Sequence, residues 1–513
     1  MFDRAPSDPS SPVPLWLQSS IYDIHDPFTL PSLMSDNEKS GVSTNDVTVH
    51  HNGEAEEERP RGGLYYNTTT QVVMLGFVCF MGPGLFNALN GLGGGGKVNA
   101  TDSANSNVAL YSTFAFTAFF AGSINNFLGP RITLLLGSMG YPLYIGSYLA
   151  TNLHDNLGWF EIFAGAILGV CAGLLWTAQG SLMLAYPTER EKGLFISIFW
   201  AIFNLGAVVG ASVSVGQNIH NTANSVHNGT YIGFLVLTLI GVCIPMCMAN
   251  PKRMYRSDGT KVTAPRHPSW KTEIYSLYLA LATDPAILML FPLFFASNYF
   301  YTWQFNDFNG ALFNIRTRSV NSLCYWISQI FGSYAIGRAL DLHSLRRRTR
   351  AFLGWGILFA SVFIINGWAY IYQKDYTRET VAAPDFHKMD FNDKGYAGRI
   401  LLYICCGLLD AMWQTAAYWF MGAMSNDPAK LAIFVGFYKS LQSAGGAGAW
   451  RADAVGIPFM NIFASTWGLL AGGLIFTLPM LYLRVKDHTE VEEEVLARMD
   501  DEGHVQDVVE LKN

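Results

Sequence analysis

The sequence predicts an all-α integral membrane protein whose twelve transmembrane helices form two six-helix pseudo-repeats. Three observations carry this: twelve long apolar segments, a low charge content, and a constant offset between the two halves. Crossing a hydrocarbon core of about 30 Å takes about 20 residues. Windows of that length place spans near 72–92, 108–128, 132–152, 159–185, 194–217 and 230–250, then 284–305, 319–340, 351–373, 397–424, 431–450 and 456–483.

Half of the 513 residues are hydrophobic and only 14% are charged, against about 25% in soluble domains. Residues 402–424 offer no polar face wide enough to meet water, which excludes a buried helix of a soluble enzyme and makes the lipid bilayer the expected partner. The net charge of −6 arises mostly in the acidic tails, so no nucleic-acid partner is expected. Both tails read as solvated and disordered. No basic stretch followed by an apolar run opens the chain, so it is expected to begin in the cytosol without a signal peptide. Met34 heads a polar stretch and is a candidate alternative start. All seven cysteines fall in or beside apolar spans, where they read as small buried hydrophobes rather than disulfide or zinc ligands.

Lys and Arg resist translocation. They concentrate in the loops that are inside if the N-terminus is cytosolic, including Lys252, Arg253, Arg256 and the run from Arg346 to Arg348. Both termini are therefore expected in the cytosol. The sequons at Asn99 and Asn228 then fall on the outer side, where they can be glycosylated, and that at Asn67 falls inside. The expected organisation is a tail at 1–64, a first half at 65–250, a cytosolic linker at 251–283, a second half at 284–485 and an acidic tail at 486–513.

An offset of 215 carries Gly122 to Gly337, Asn126 to Asp341 and Arg131 to Arg346. An offset of 238 carries Lys192 to Lys430, Phe199 to Phe437, Asn204 to Gln442 and Gly210 to Gly448. The difference of 23 matches a polar insertion at 374–396, read as an outer loop, which the first half lacks. This supports a duplicated plan.

Within that plan, Gly337, Asp341, Arg346 and Arg347 resemble the cytoplasmic gating motif of the major facilitator superfamily. A carboxylate at a helix end and guanidinium groups in the loop can lock neighbouring helices; the alternative is a plain positive-inside loop. The first-half counterpart keeps Gly122 and Arg131 but has Asn126 in place of the acid. The stretch from Gly76 through Gly82-Pro83-Gly84 and Asn87-Ala88-Leu89-Asn90-Gly91 to the glycines 93–96 resembles the fungal branch of the uncoordinated-93-like family, as does Tyr186–Gly193. The likeness covers about 64–485. It implies a major facilitator type bundle and a role either in transport of a small solute or in regulating another membrane protein, and it supplies no substrate.

Physically, Gly82-Pro83-Gly84 predicts a bend in span one. Asn87 and Asn90 share a helical face and either line a polar cavity or bond a neighbouring helix. The glycine run reads as a flexible outer turn. Ionisable groups at membrane depth are costly and mark functional candidates. Asp410 in span ten, with Trp413 and Gln414 beside it, and Lys439 in span eleven, with Gln442 three residues on, are expected to pair, as a proton relay, a substrate anchor or a structural bridge. Span seven ends in an aromatic and amide cluster with Asn298 and Gln304, whose rings fit an interfacial belt. The resemblance implies that spans one, four, seven and ten line the cavity, which adds Trp176 and Gln179; Asn204 joins as the counterpart of Gln442. No catalytic motif, cofactor site, metal site or ATP-binding domain is discernible. The expected function is alternating-access transport, with proton coupling as one option and a non-transporting regulator as the alternative.

Overall fold

The computed structural model describes residues 63–485, apart from 98–99, 188–191, 222–223, 258, 263–270, scattered positions between 272 and 284, 343 and 425–427. Both tails, Met34, Asn99 and much of the linker lie outside these residues, as do the side chains of Lys192 and Lys430.

Twelve helical rods follow one another among the described residues. The first half holds span 1 (Thr68–Gly91), span 2 (Thr101–Leu128), span 3 (Pro130–Leu153), span 4 (Gly158–Ala185), span 5 (Lys192–Asn218) and span 6 (Asn228–Cys247). The second holds a composite span 7 over 285–312, then span 8 (Ile315–Leu340), span 9 (Arg347–Gln373), span 10 (Tyr396–Met424), span 11 (Pro428–Ala454) and span 12 (Phe459–Arg484). Seven of the rods are long and apolar enough to cross a membrane on their own, or eight if span 2 is taken as one bent rod. Spans 3, 7, 8 and 11 carry more polar groups, many of them buried in the bundle: Tyr144 and Tyr148 in span 3, Asn306, Asp307 and Asn309 in span 7, Arg318 and Asn321 in span 8, Gln442 and Ser443 in span 11. Neighbouring helices hydrogen-bond most such groups away from lipid, the Asp307 carboxyl excepted.

The first span of each half contains a π-helical segment, Phe80–Gly84 in span 1 and Thr302–Gly310 in span 7. In span 1, Pro83 lacks the N–H that an α-helix would use. The irregularity expected at the proline takes the form of a widened turn, and the rod runs on as one span. Gly84 also lets span 1 approach span 5, since a Cβ there would sit 2.9 Å from Gly206 Cα. Span 7 extends beyond the expected end at 305, and its cluster is not an interfacial belt. Every residue from Thr302 to Asn309 is buried, because the rings pack against spans 8, 10 and 12 and the amides bond within the protein.

The glycine run is a tight buried turn rather than a flexible one. Gly93, Gly94, Gly95 and Gly96 all have positive φ, from 52° to 82°. This left-handed conformation is costly for residues with a Cβ. A Cβ on Gly95 would also be driven into the Tyr148 ring.

The halves meet along two seams, span 2 against span 11 and span 5 against span 8. Ser214 and Ser319 share a hydrogen bond of 2.9 Å across one, and Arg451 Nη1 donates to Asn105 Oδ1 at 3.4 Å across the other. The 374–396 insertion is ordered and lies at the same end as the glycine turn. It forms the short helix Arg378–Ala382, and Met389 exchanges backbone hydrogen bonds with Leu312 and Asn314 at the turn between spans 7 and 8. This end is called the insertion end below.

At the opposite, basic end, arginines bind the last carbonyls of helices, where a cation is favoured. Arg131 donates to Pro245 and Met246 at the end of span 6. Arg348 donates to Tyr482 O at 3.3 Å near the end of span 12, and Arg347 to Gly422 O at 2.8 Å near the end of span 10. Arg348, not Arg346, is therefore the structural counterpart of Arg131. In the first half the turn between spans 2 and 3 is only Gly129, whereas 341–346 separate their counterparts, spans 8 and 9, which shifts the register.

Gly95→Ala is expected to destabilise the protein by about 2–4 kcal/mol from left-handed strain and overpacking. Gly216→Ala, at a helical glycine with open space around it, should be neutral or slightly stabilising. Thermal unfolding of the two purified variants in one detergent checks the contrast.

Candidate functional site

Asp410 sits at the heart of the second half, 1% exposed. Its carboxylate is caged by side chains from three spans. Gln414 Nε2 at 2.8 Å and the Tyr301 hydroxyl at 3.3 Å face Oδ1, while the Tyr325 hydroxyl at 2.9 Å and Gln329 Nε2 at 2.5 Å face Oδ2. Charge-assisted bonds of this kind offset the loss of water around a buried carboxylate. The Tyr325 hydroxyl also lies 2.8 Å from Gln304 Oε1, so its one proton stands between two acceptors. Gln304 is thereby part of the cage.

The expected direct pairing of Asp410 with Lys439 is replaced by a chain of amides. Lys439 Nζ donates to Gln442 Oε1 at 2.9 Å. Gln442 Nε2 faces Asn298 Oδ1 at 2.9 Å and Gln414 Oε1 at 3.3 Å, and Gln414 Nε2 reaches Asp410. An amide both donates and accepts, so it can bridge a cation and an anion that do not touch. Lys439 also lies 5.3 Å from the ring centre of Tyr438 and 5.6 Å from that of Tyr418, within range of cation–π attraction. The structure thus brings Asn298, Gln304, Asp410, Gln414, Lys439 and Gln442 into one network. Tyr301, Tyr325 and Gln329 are the members that sequence reasoning missed. Their nearest signal was position, since Tyr325 and Gln329 stand one helical turn apart on a single face of span 8.

Other candidates are placed differently. Trp413 is fully buried and its Nε1 bonds Leu293 O and Ser297 Oγ, which fixes span 10 to span 7. Asn90 accepts from Asn107 at 3.3 Å, and Asn107 in turn faces the Tyr144 hydroxyl at 3.2 Å. Asn90 thus bonds a neighbouring helix, while Asn87 is half-buried one turn earlier. Trp176 stacks on Trp200 and meets Phe203 edge-on, and Gln179 is half-buried. Asn204 is exposed, unlike Gln442, so that pair has diverged in environment. Asn126 is exposed and Asp341 caps the end of span 8 through its backbone. Asn228 opens span 6 and accepts from Asn152 Nδ2 at 2.6 Å.

A second polar assembly closes the insertion end. Arg318, 1% exposed, donates to four main-chain carbonyls of the first half: Leu92 at 2.7 Å, Gly93, Asn224 at 3.1 Å and Lys97 at 3.4 Å. Asn309 Nδ2 donates to Gly91 O at 2.9 Å, and Asn306 Oδ1 accepts from Gly94 N at 2.6 Å. The second half therefore grips the glycine turn of the first. Beneath the insertion lies a cavity of about 130 Å³, whose wall includes Gly93, Lys97, Asp307, Arg378, Lys388 and Asp453.

The insertion is secured by Arg316, which binds Asp390 through Nε at 2.7 Å and through Nη2. This partner, helped by hydrogen bonds from Asn314, Thr317 and the Phe391 backbone, holds the Asp390 carboxyl well down, at about 2, against the opposing effect of burial. Lys388 donates to Gly310 O at 2.7 Å and Ala311 O at 3.0 Å. Burial, with the like charge of Arg318 adding to it, lowers its ammonium to about 7.

Two six-helix halves meeting along these seams, with a caged carboxylate in the second, define a membrane protein of the major facilitator fold. The nucleoside transporter NupG is similar over 81% of this chain and all of that one, with a TM-score of 0.55 and 13% identity. The xylose transporter XylE of E. coli, in a partially occluded inward-open conformation, is similar over 82% of this chain and 98% of that one, with a TM-score of 0.54 and 12% identity. Such likeness speaks for the fold. The chain belongs to the UNC-93 family, whose profile, described as ion channel regulatory protein UNC-93, matches residues 94–447. An UNC93-like protein of Schizosaccharomyces pombe is 48% identical over 85% of this chain and 88% of its own length. UNC93-like protein 1 of Arabidopsis thaliana is 39% identical over 86% of this chain and 96% of its own.

Two predictions follow from the insertion end. Removing the guanidinium in Arg318→Ala leaves several buried carbonyls without donors, at a cost of about 1–3 kcal/mol. A cysteine introduced at Asn309 should then react faster with a membrane-impermeant maleimide than it does with Arg318 intact. For Lys388, the folded-state value of about 7 lies below the ordinary 10.5. The unfolded chain therefore binds the extra proton between those values, and stability rises with pH across that window. The melting temperature of the wild type should rise relative to Lys388→Met as pH goes from neutral to about 10.

Proposed function

We propose that this protein is a secondary transporter that carries a small solute by alternating access, with the Asp410 cage as its ion- or solute-binding centre. The observation that carries the reading is the cage itself. A carboxylate held by donors from spans 7, 8 and 10, and linked through amides to a lysine on span 11, changes its partners whenever those spans move. Proton uptake at Asp410 would turn an acceptor oxygen into a donor and relieve the competition of two acceptors for the Tyr325 hydroxyl, coupling charge to helix position. Solved transporters with the same fold support the reading. The grip on the glycine turn supports a conformation closed at the insertion end, which the distribution of basic residues assigns to the outer side.

The second reading is a regulator of another membrane protein, as the family description has it for UNC-93. The first-half gating motif favours it, because Asn126 cannot supply the charge that Asp341 retains in the second half.

Purified protein in proteoliposomes under an imposed pH gradient separates the two. A screen of chemically diverse solutes is expected to find gradient-driven uptake in the wild type. Asp410→Asn should reduce that uptake to background while the protein still folds and inserts. Lys439→Ala should raise KM more than it lowers the maximal rate. Folded wild-type protein that moves none of the solutes would favour the regulator.

A further inference from the structure

Among the described residues of the insertion-end assembly, Asp307 stands out as a carboxyl whose charge no hydrogen bond meets, with the Arg378 guanidinium at 3.7 Å as its nearest cation. It is fully buried in the π-helical part of span 7. Neither carboxyl oxygen accepts a hydrogen bond, and neither is open to a water molecule. Its backbone carbonyl accepts from the Tyr376 hydroxyl at 2.9 Å, which fixes the position of the residue without serving its side chain.

The cations around the cavity give their hydrogen bonds to other groups. Arg378 Nη2 lies 2.6 Å from Asp453 Oδ1 and 3.7 Å from Asp307 Oδ1, and its Nε donates to Ile457 O at 2.6 Å. Asp453 is further held by Asn306 Nδ2 at 2.7 Å. Lys97 is bound by Glu161, Arg318 by the carbonyls of the first half, and Lys388 by Gly310 and Ala311. Two carboxyls thus lie against one guanidinium, and only one of them is bonded to it.

A buried carboxylate with no hydrogen bond is strongly disfavoured, and a second carboxylate beside it adds repulsion. Three occupants could remove that charge: a metal cation, an ordered water donating to it, or a proton. The guanidinium of Arg378, 3.7 Å from Oδ1, already places a positive charge beside the carboxyl and repels a second cation there. The closed oxygens exclude a water molecule. A proton needs no space of its own.

We propose that Asp307 is a proton-binding site at the insertion end, loaded in this closed conformation. The carboxylate takes one proton to become the neutral acid, and the Arg378–Asp453 pair keeps the remaining charges balanced. When the halves part at this end, water and Arg378 can reach the carboxyl and the proton leaves. This deepens the alternating-access reading by giving the closed state a second protonated group, separate from Asp410. The protonation itself can be read without any transport.

The test is infrared spectroscopy of the whole protein in lipid at neutral pH, with and without ¹³C-aspartate labelling. The wild type is expected to show a carboxylic-acid carbonyl band that shifts with the label, and Asp307→Asn should lose one such component. Absence of any label-sensitive acid band in the wild type overturns the proposal without reliance on a variant. An unchanged band in folded Asp307→Asn also overturns it, as does loss of the Asp307 component on adding Na⁺ or K⁺ at constant pH, which would assign the site to a metal cation. If the band is found but proteoliposomes show no uptake, the proton site stands and the transport reading falls.

Discussion

The guanidinium of Arg318 holds the two halves together at one end, and much of the local architecture depends on it. A buried arginine usually faces a carboxylate. Here the positive charge is spread over main-chain carbonyls of Leu92, Gly93, Lys97 and Asn224, all from the opposite half. The carbonyls of Leu92, Gly93 and Lys97 converge because the turn they flank takes four successive left-handed residues, which glycine alone adopts without strain. The amides of Asn306 and Asn309 then complete the grip on the same turn. Planar donors that point in several directions suit this task better than an ammonium would.

The centre of the second half follows another logic. Asp410 and Lys439 are too costly to leave alone in a lipid-embedded bundle, yet they do not meet. Glutamines at 414 and 442 stand between them and pass polarity from one to the other. This arrangement leaves each charge with neutral partners that can be exchanged singly. A direct ion pair in low dielectric would resist separation much more strongly. The second half carries the charged cage, whereas the corresponding polar chain in the first half runs through Asn90, Asn107 and Tyr144 without an ionised member.

The apolar rods were legible in the sequence because lipid demands long hydrophobic runs, and the duplicated plan was legible because an insertion left a measurable offset. Asp410, Gln414, Lys439 and Gln442 stood out for the complementary reason, as polar residues where hydrocarbon was expected. Asp307, Asn309 and Arg318 did not stand out. Their polarity made 306–318 look like a loop between spans, whereas it is protein interior whose hydrogen bonds reach residues more than two hundred positions away. The glycine run was read as freedom for a related reason: composition reveals that left-handed backbone is permitted, but not that a distant arginine and tyrosine require it. Register at the basic end was blurred by unequal turn lengths, so Arg131 finds its equal in Arg348 rather than at the position a fixed offset selects.

The π-helical segments that open the two halves have a mechanical consequence. A π turn holds about one residue more than an α turn, so converting it to α geometry advances everything beyond it by about 100° around the axis. Such a change acts as a swivel: it re-aims side chains without dragging the base of the rod through its neighbours. In span 7 the segment itself bears Asn306 and Asn309, which bond the glycine turn of the first half, so one alteration of backbone pairing would turn both away from the opposite half in concert. The matching segment in span 1 sits before Asn87 and Asn90. Each half therefore has a rotary joint in its first span, at or just ahead of polar groups that bond neighbouring helices.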